Sequence, residues 1–293
     1  MGWLLRSPEA LALGCAFFFA LGLLIVRAAL PFSTPLTSNF MVTFMNLLLA
    51  WSGVALWSGL PAQWSWAGAF WFAMVGIAGQ GLARSLNYIG IGLSGAARSN
   101  TIASISPLFS ALLAVLLLHE RPGLAVIGGT FAIVAGVILL SRERTPGGGP
   151  MTWRHLAVPL LAASLFSVTP IFRKLGLGHM DAPLLALAVA STFGTPMLLL
   201  TSHLGMGGRI HLHHRAVAWG ALAGALNFTA GLAFWVALSL GEVTVVVPLT
   251  RAGPLLVVLL GHLFLRELER VTWPVVGGTV AIVAGALLIT ALG

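Results

Sequence analysis

The sequence is poor in charge: only 8% of its residues are Asp, Glu, Lys or Arg. A soluble domain carries about 25%, so this chain cannot keep a water-facing surface, and a soluble globular protein is excluded. Acids are scarcest. Glu9, Glu120, Glu143, Asp181, Glu242, Glu267 and Glu269 are all there are, each at a predicted helix end or in a loop. A cation or multidrug antiporter wants a buried carboxylate for which proton and cation compete, and no acid stands there. Cysteine occurs once, at Cys15, so no intrachain disulfide forms and the redox compartment stays open. The short alternating segments of a membrane barrel are absent. No nucleophile–base pair falls at membrane depth, which argues against a membrane enzyme, and no cofactor pattern is present. His203, His211, His213 and His214 crowd one stretch without the ligand spacing of a structural zinc site. The formal charge of +8 comes from basic residues scattered singly. They form no stripe or basic–aromatic module, so nucleic acid is not an expected partner.

What remains is apolar. The chain is 58% hydrophobic, with a mean hydropathy of +1.00. Ten apolar segments emerge, at about 9–29, 36–58, 66–91, 95–118, 123–141, 154–176, 183–203, 216–240, 243–265 and 273–292. A helix needs about 20 apolar residues to cross a bilayer. The expected fold is therefore an all-α polytopic membrane protein of ten transmembrane helices, with lipid as its surroundings. The first segment runs past a signal-peptide core and reads as a retained span. Trp3, Trp57, Trp64, Trp66, Trp153, Trp219 and Trp273 lie near predicted boundaries, as an aromatic belt requires.

The segments are organised as a repeat. Arg98–Leu140 returns as Val245–Ile289, with Pro107 matching Pro254 and Glu120 matching Glu267 at a constant offset. After an insertion, GGTFAIVAGVILL matches GGTVAIVAGALLI. The halves are 1–141 and 154–293, joined by a linker at 142–153 that contains Gly147-Gly148-Gly149-Pro150. Five helices per half is an odd number, so the second half enters the membrane from the opposite side. Similar halves of opposite orientation are an inverted repeat, as in many secondary transporters. Gly128, Ala132, Gly136 and Gly277, Ala281, Gly285 place small residues on one stripe of the fifth and tenth helices. The stripe reads as packing within each half of a monomer, with a homodimer as the alternative.

The hairpin SPLFSALLAVLLLHERPGLAVIGGTFAIVAGVILL and its second copy resemble the EamA-type transporters of the drug/metabolite transporter superfamily. The preceding LNYIGIGLSGAARSNTI resembles the family's third-to-fourth helix corner. The resemblance covers nearly the whole chain. It implies a transporter, with cytoplasmic termini in a bacterial inner membrane. It leaves the substrate open among amino acids, other metabolites, sugars, nucleotide-linked compounds and drugs.

Ionisable residues at membrane depth are candidate functional groups by default. Arg251 lies inside the ninth helix where the first copy has Ser104. Arg84 lies far along the third helix and Arg98 near the start of the fourth, where both could also snorkel to headgroups. Gln80, Arg84 and Asn87 share a face at i, i+4 and i+7, and Asn100, Ser104 and Pro107 do the same. Thr244 and Arg251 share a face of the ninth helix, next to Thr250, and Asn227 takes the repeat position of Gln80. Four polar stripes suggest one hydrated cavity. Trp235 lies deep and faces substrate, lipid or core. Pro107 and Pro254 are expected to kink their helices, freeing the carbonyls of Ala103 and Thr250. Glu120 and Glu267 stand beside Arg121 and Arg266. They read as solvated ion pairs, with a gate as the alternative.

Counted over loops, Lys and Arg are fewer on the side of the termini (Arg6, Arg121, Arg173, Lys174) than on the other. The charge rule thus places the termini outside, against the family resemblance. The reading that follows is an alternating-access transporter of a small anionic or zwitterionic metabolite, an amino-acid exporter first. A cation or drug exporter of the same fold is the alternative, with a lipid-linked flippase or membrane enzyme behind it.

Overall fold

Helix boundaries follow local chemistry. The structure is a computed structural model that describes residues 7–29, 32–94, 99, 102–141, 153–201, 214–264 and 273–292. Helix α1 spans Pro8–Ala29, and Ser7 Oγ accepts from the Ala10 amide at 3.1 Å to cap it. Helix α2, Pro35–Gly53, starts on Thr34, whose side chain accepts from the Thr37 amide. It continues as a π-helical turn, Val54–Ser58, that Gly59 ends at φ +63°. Helix α3 starts on Ser65 and runs as Trp66–Val75, a π-helical stretch Gly76–Ala83, and Arg84–Ser94.

Helix α4 has a non-helical turn at Ser104–Ile105 before its main segment, Ser106–Leu118. Helices α5 (Leu124–Ser141), α6 (Trp153–His179), α7 (Pro183–Thr201) and α8 (His214–Leu240) follow. Helix α9 is broken at Arg251–Ala252 into Val243–Thr250 and Gly253–Phe264. Helix α10 is Trp273–Leu292.

Six of these helices are long and apolar enough to cross a membrane by themselves. The flanks carry exposed Leu56, Trp57, Trp66, Leu124 and Trp273, a surface suited to lipid. The interior holds α7, with 11 of its 19 residues buried.

Glycines set the close approaches. A Cβ on Gly76 would strike the Ala190 carbonyl of α7, and one on Gly79 would lie 2.8 Å from Thr169 of α6. Between α5 and α10 the approach is backbone to backbone. A Cβ on Gly129 would lie 2.6 Å from the Gly285 carbonyl, and one on Gly136 2.6 Å from the Gly278 carbonyl. Small residues permit such backbone contact in lipid. This corrects the expected stripe in two ways. The contact joins the two halves instead of lying within each, and it runs through Gly129, Gly136, Gly278 and Gly285. Gly128 and Gly277 meet nothing.

Contacts between helices fix the relative direction of the halves. Gly68 of α3 meets Met180 of α6, Gly79 meets Thr169, and Gly90 meets Pro159, so α3 and α6 are antiparallel. Gly22 of α1 meets Ala223 of α8, and Gly241, just past α8, meets Pro8, so α1 and α8 are antiparallel too. The first helix of each half therefore runs opposite to its mate. The protein is an all-α polytopic membrane protein of ten helices in two inverted five-helix repeats. The halves interleave: α1 packs on α8 and α9, while its mate α6 packs on α3 and α4.

Candidate functional site

The two helix breaks lie at equivalent repeat positions, and they meet. Arg251 Nη2 in the α9 break donates to Ser106 Oγ, just past the α4 break, at 2.9 Å. Each break leaves the following segment to start with a proline in its first turn. Pro107 and Pro254 are thus not mid-helix kinks, as the sequence reading had them, but starters of new segments. Proline suits that place because its missing donor is one the helix does not use. Across the α9 break the chain turns through Arg251 N–H to the Pro248 carbonyl, at 3.0 Å. Pro248 itself stays inside the first segment. Ser104 is buried in the α4 break, and the Thr250 hydroxyl donates to the Val247 carbonyl at 2.7 Å.

The polar residues of α3 are held from a helix that the sequence reading had passed over. Arg84 Nη1 donates to Asn39 Oδ1 of α2 at 2.9 Å. Asn46 Nδ2, also on α2, donates to Asn227 Oδ1 of α8 at 3.0 Å. Asn39, Thr43 and Asn46 are all buried and fall at i, i+4 and i+7, so the spacing test applied to α3 would have found them. Gln80 is buried in the π stretch, with its Oε1 lacking a partner. π-helical turns often mark functional sites. Asn87 Oδ1 accepts weakly from Ser99 Oγ at 3.5 Å. Arg98, Asn100 and Glu267 lie outside the described residues.

Trp235 is fully buried, with its ring edge-on to Phe72 at 5.4 Å. On its other side is Arg173, whose guanidinium lies 4.8 Å from the Trp235 ring and 4.6 Å from that of Phe234. Arg173 and Lys174 sit inside α6, not in a loop, so they drop out of the loop-charge count used for orientation. Lys174, the only lysine in the chain, donates from Nζ to the carbonyls of Leu238 and Gly241 at 2.9 and 2.6 Å. It thereby caps the C-terminus of α8, where a cation is favoured.

Glu120 is the larger correction. It is 8% exposed rather than solvated. Its two oxygens accept from the amides of Val243 and Thr244 at 2.8 and 2.9 Å. A loop of the first half therefore caps the N-terminus of α9 in the second half, where the helix dipole favours an anion. Glu242, next to that terminus, makes no cap bond of its own. Glu120 and Lys174 together pin the two-residue corner between α8 and α9. A surface cavity of about 500 Å³ opens here, lined by Leu118, His119, Glu120, Arg121, Lys174 and Glu242.

Ten helices in inverted repeats, with the broken fourth and ninth helices touching at the centre, are the architecture of a secondary transporter. The chain belongs to the EamA-like transporter family, whose model matches residues 6–142 and again 153–291. It is thus a transporter of the drug/metabolite type. A crystal structure described only as that of a protein is similar at a TM-score of 0.77 and 18% identity, over 97% of this chain and 96% of its own. That likeness is one of fold alone. No curated protein matches the chain.

Proposed function

We propose that the protein moves a small anionic or zwitterionic metabolite by alternating access, with export of an amino acid or a related acid as the first expectation for a family member in a bacterial inner membrane. The observation that carries this reading is Arg251. It stands in the break of α9, and its side chain spends one donor on Ser106, with no other side-chain acceptor among the described residues. No described carboxylate is among the groups acting on it. A guanidinium offers a planar fork matched to carboxylate or phosphate. Gln80, Arg84, Asn87, Ser104, Asn227 and Thr250 complete the proposed cavity; Trp235, fully buried, belongs to the core instead. The broken segments at Pro107 and Pro254 serve as hinges, and Glu120 and Glu267 serve as gates. The lack of a central acid disfavours the cation or drug exporter.

Arg251→Lys tests this. Lysine keeps the charge and most of the length but loses the fork. Loss of one charge-assisted hydrogen bond of about 1.5 kcal/mol is roughly a tenfold loss of affinity. Ligands come from a thermal-shift panel of metabolites on the detergent-purified protein. Flux of the best ligand in proteoliposomes should fall in Arg251→Lys and vanish in Arg251→Ala. Wild-type flux in Arg251→Ala would make the arginine structural and end the anion reading.

A further inference from the structure

The α5–α10 contact is built the same way from either half. In the repeat, Gly129, Ile133 and Gly136 of α5 take the positions of Gly278, Ile282 and Gly285 of α10. A Cβ on Gly136 would lie 2.6 Å from the Gly278 carbonyl oxygen, 2.7 Å from Ile282 Cγ1 and 3.0 Å from the Ile282 amide nitrogen. A Cβ on Gly285 would lie 2.6 Å from the Gly129 carbonyl oxygen, 2.8 Å from Ile133 Cγ1 and 3.0 Å from the Ile133 amide nitrogen. Exchanging the halves therefore returns the same contact. It lies on the pseudo-two-fold axis, with Ile133 and Ile282, both fully buried, at its centre. The contact between the two helix breaks behaves differently. The bond from Arg251 to Ser106 would return as one from Ser104 to Gly253, which has no side chain to make it.

In an inverted-repeat transporter the two end states differ by an exchange of conformation between the halves. A contact that the exchange leaves unchanged is the same in both states. Packing points the same way. Each isoleucine fills the notch left by a glycine on the facing helix, and backbone meets backbone with no side chain between to take up sliding. If α5 stays in place, the first half has to bend just before it. Residues 119–123 lie outside any helix there. His119 begins that joint at φ 57°, as the one described non-glycine residue with positive φ. Glu120 follows it, so the carboxylate that caps α9 sits on the joint between α4 and α5.

We propose that the α5–α10 pair is the fixed pivot of the transport cycle, keeping its packing in both end states while the other helices of each half move against it. This deepens the alternating-access reading and rests on it.

The test measures distances between paired spin labels by double electron–electron resonance on the purified full-length protein with Cys15→Ser. One pair is Phe131→Cys and Val280→Cys, repeat mates on α5 and α10 that are 58% and 61% exposed. The other is Leu117→Cys on α4 and Leu240→Cys at the end of α8, 58% and 51% exposed, which flank the corner that Glu120 holds. Glu120→Gln is added to each pair to release that corner. The Leu117–Leu240 distribution should gain a longer peak, and the Phe131–Val280 distribution should keep its position and width. If Glu120→Gln does not fold, Lys174→Met frees the carbonyls on the other side of the corner and should give the same result. A shift at both pairs overturns the pivot and leaves alternating access standing. A shift at Phe131–Val280 alone overturns it as well. No shift at either pair removes the movement itself, and the alternating-access reading falls together with the pivot.

Discussion

Replacing Glu120 by Gln should open the end of the protein that carries its termini. The carboxylate accepts two backbone hydrogen bonds, at 2.8 and 2.9 Å, from the first amides of α9. A glutamine of the same shape can accept only one of them and turns an NH2 group toward the other amide. A hydrogen bond to a charged group is worth about 1.5–3 kcal/mol net. The helix-terminus attraction adds about 0.3–1 kcal/mol. With part of this recovered by the remaining acceptor, the closed corner loses about 2–3 kcal/mol, or roughly 30- to 150-fold in its opening equilibrium. Val243 is fully buried behind the carboxylate, so it reports that opening. In a Cys15→Ser background, Val243→Cys should react slowly with a soluble maleimide, and adding Glu120→Gln should speed the reaction by a factor in that range. Lys174→Met should act in the same direction, because it releases the carbonyls of Leu238 and Gly241 from the other side of the corner. Unchanged labelling together with a lowered melting temperature would show that Glu120 only holds the fold, and the gate would be refuted.

The repeat extends the argument to the opposite end. Glu267 takes the repeat position of Glu120, so Glu267→Gln should lower maleimide labelling of Val243→Cys, since opening one end closes the other. A rise there would refute alternation. At the contact between halves, Gly129→Ala forces a methyl within 2.6 Å of the Gly285 carbonyl and should cost about 1–3 kcal/mol. Gly128→Ala, which meets nothing, should leave the melting temperature unchanged or slightly raised.

The parts of the fold legible in the sequence are those that hydropathy and internal similarity encode locally. Segment number, inversion and the placement of the prolines all follow from single runs of residues. The α2 stripe of Asn39, Thr43 and Asn46 was equally local and went unread. What sequence could not give is the partner of a side chain. Glu120 lies beside Arg121 in the chain, which suggested a solvated pair. Its ligands are the amides of Val243 and Thr244, more than a hundred residues on, and only the interleaving of the halves brings them to it. Arg173 looked like a helix-end charge because a basic pair near a span boundary normally snorkels. The helix continues to His179, so the boundary lies further out. The helix breaks escaped for a related reason. Proline was expected to bend a continuous helix, whereas here the chain leaves helical geometry before each proline.

The repeat separates the mechanism from the chemistry. The features that the halves share are the break at Ser104–Ile105 and Arg251–Ala252, the prolines that restart the helix, the Glu120 and Glu267 positions, and the glycine pairs of α5 and α10. Alternating access needs these to be shared. If the two end states are built from the same devices exchanged between halves, their energies stay close and neither traps the protein. The features that the halves do not share are Arg251 against Ser104, Arg84 against Gly231, Arg173 against Val26, and Asn39 and Asn46 against Ala186 and Phe193. A small asymmetric molecule cannot be bound by a symmetric site in one orientation. Its anchoring groups must come from positions where the copies have diverged. All three deep arginines lie at such positions, on α3, α6 and α9, so symmetric substitutions should change which side is open, and asymmetric ones what is carried.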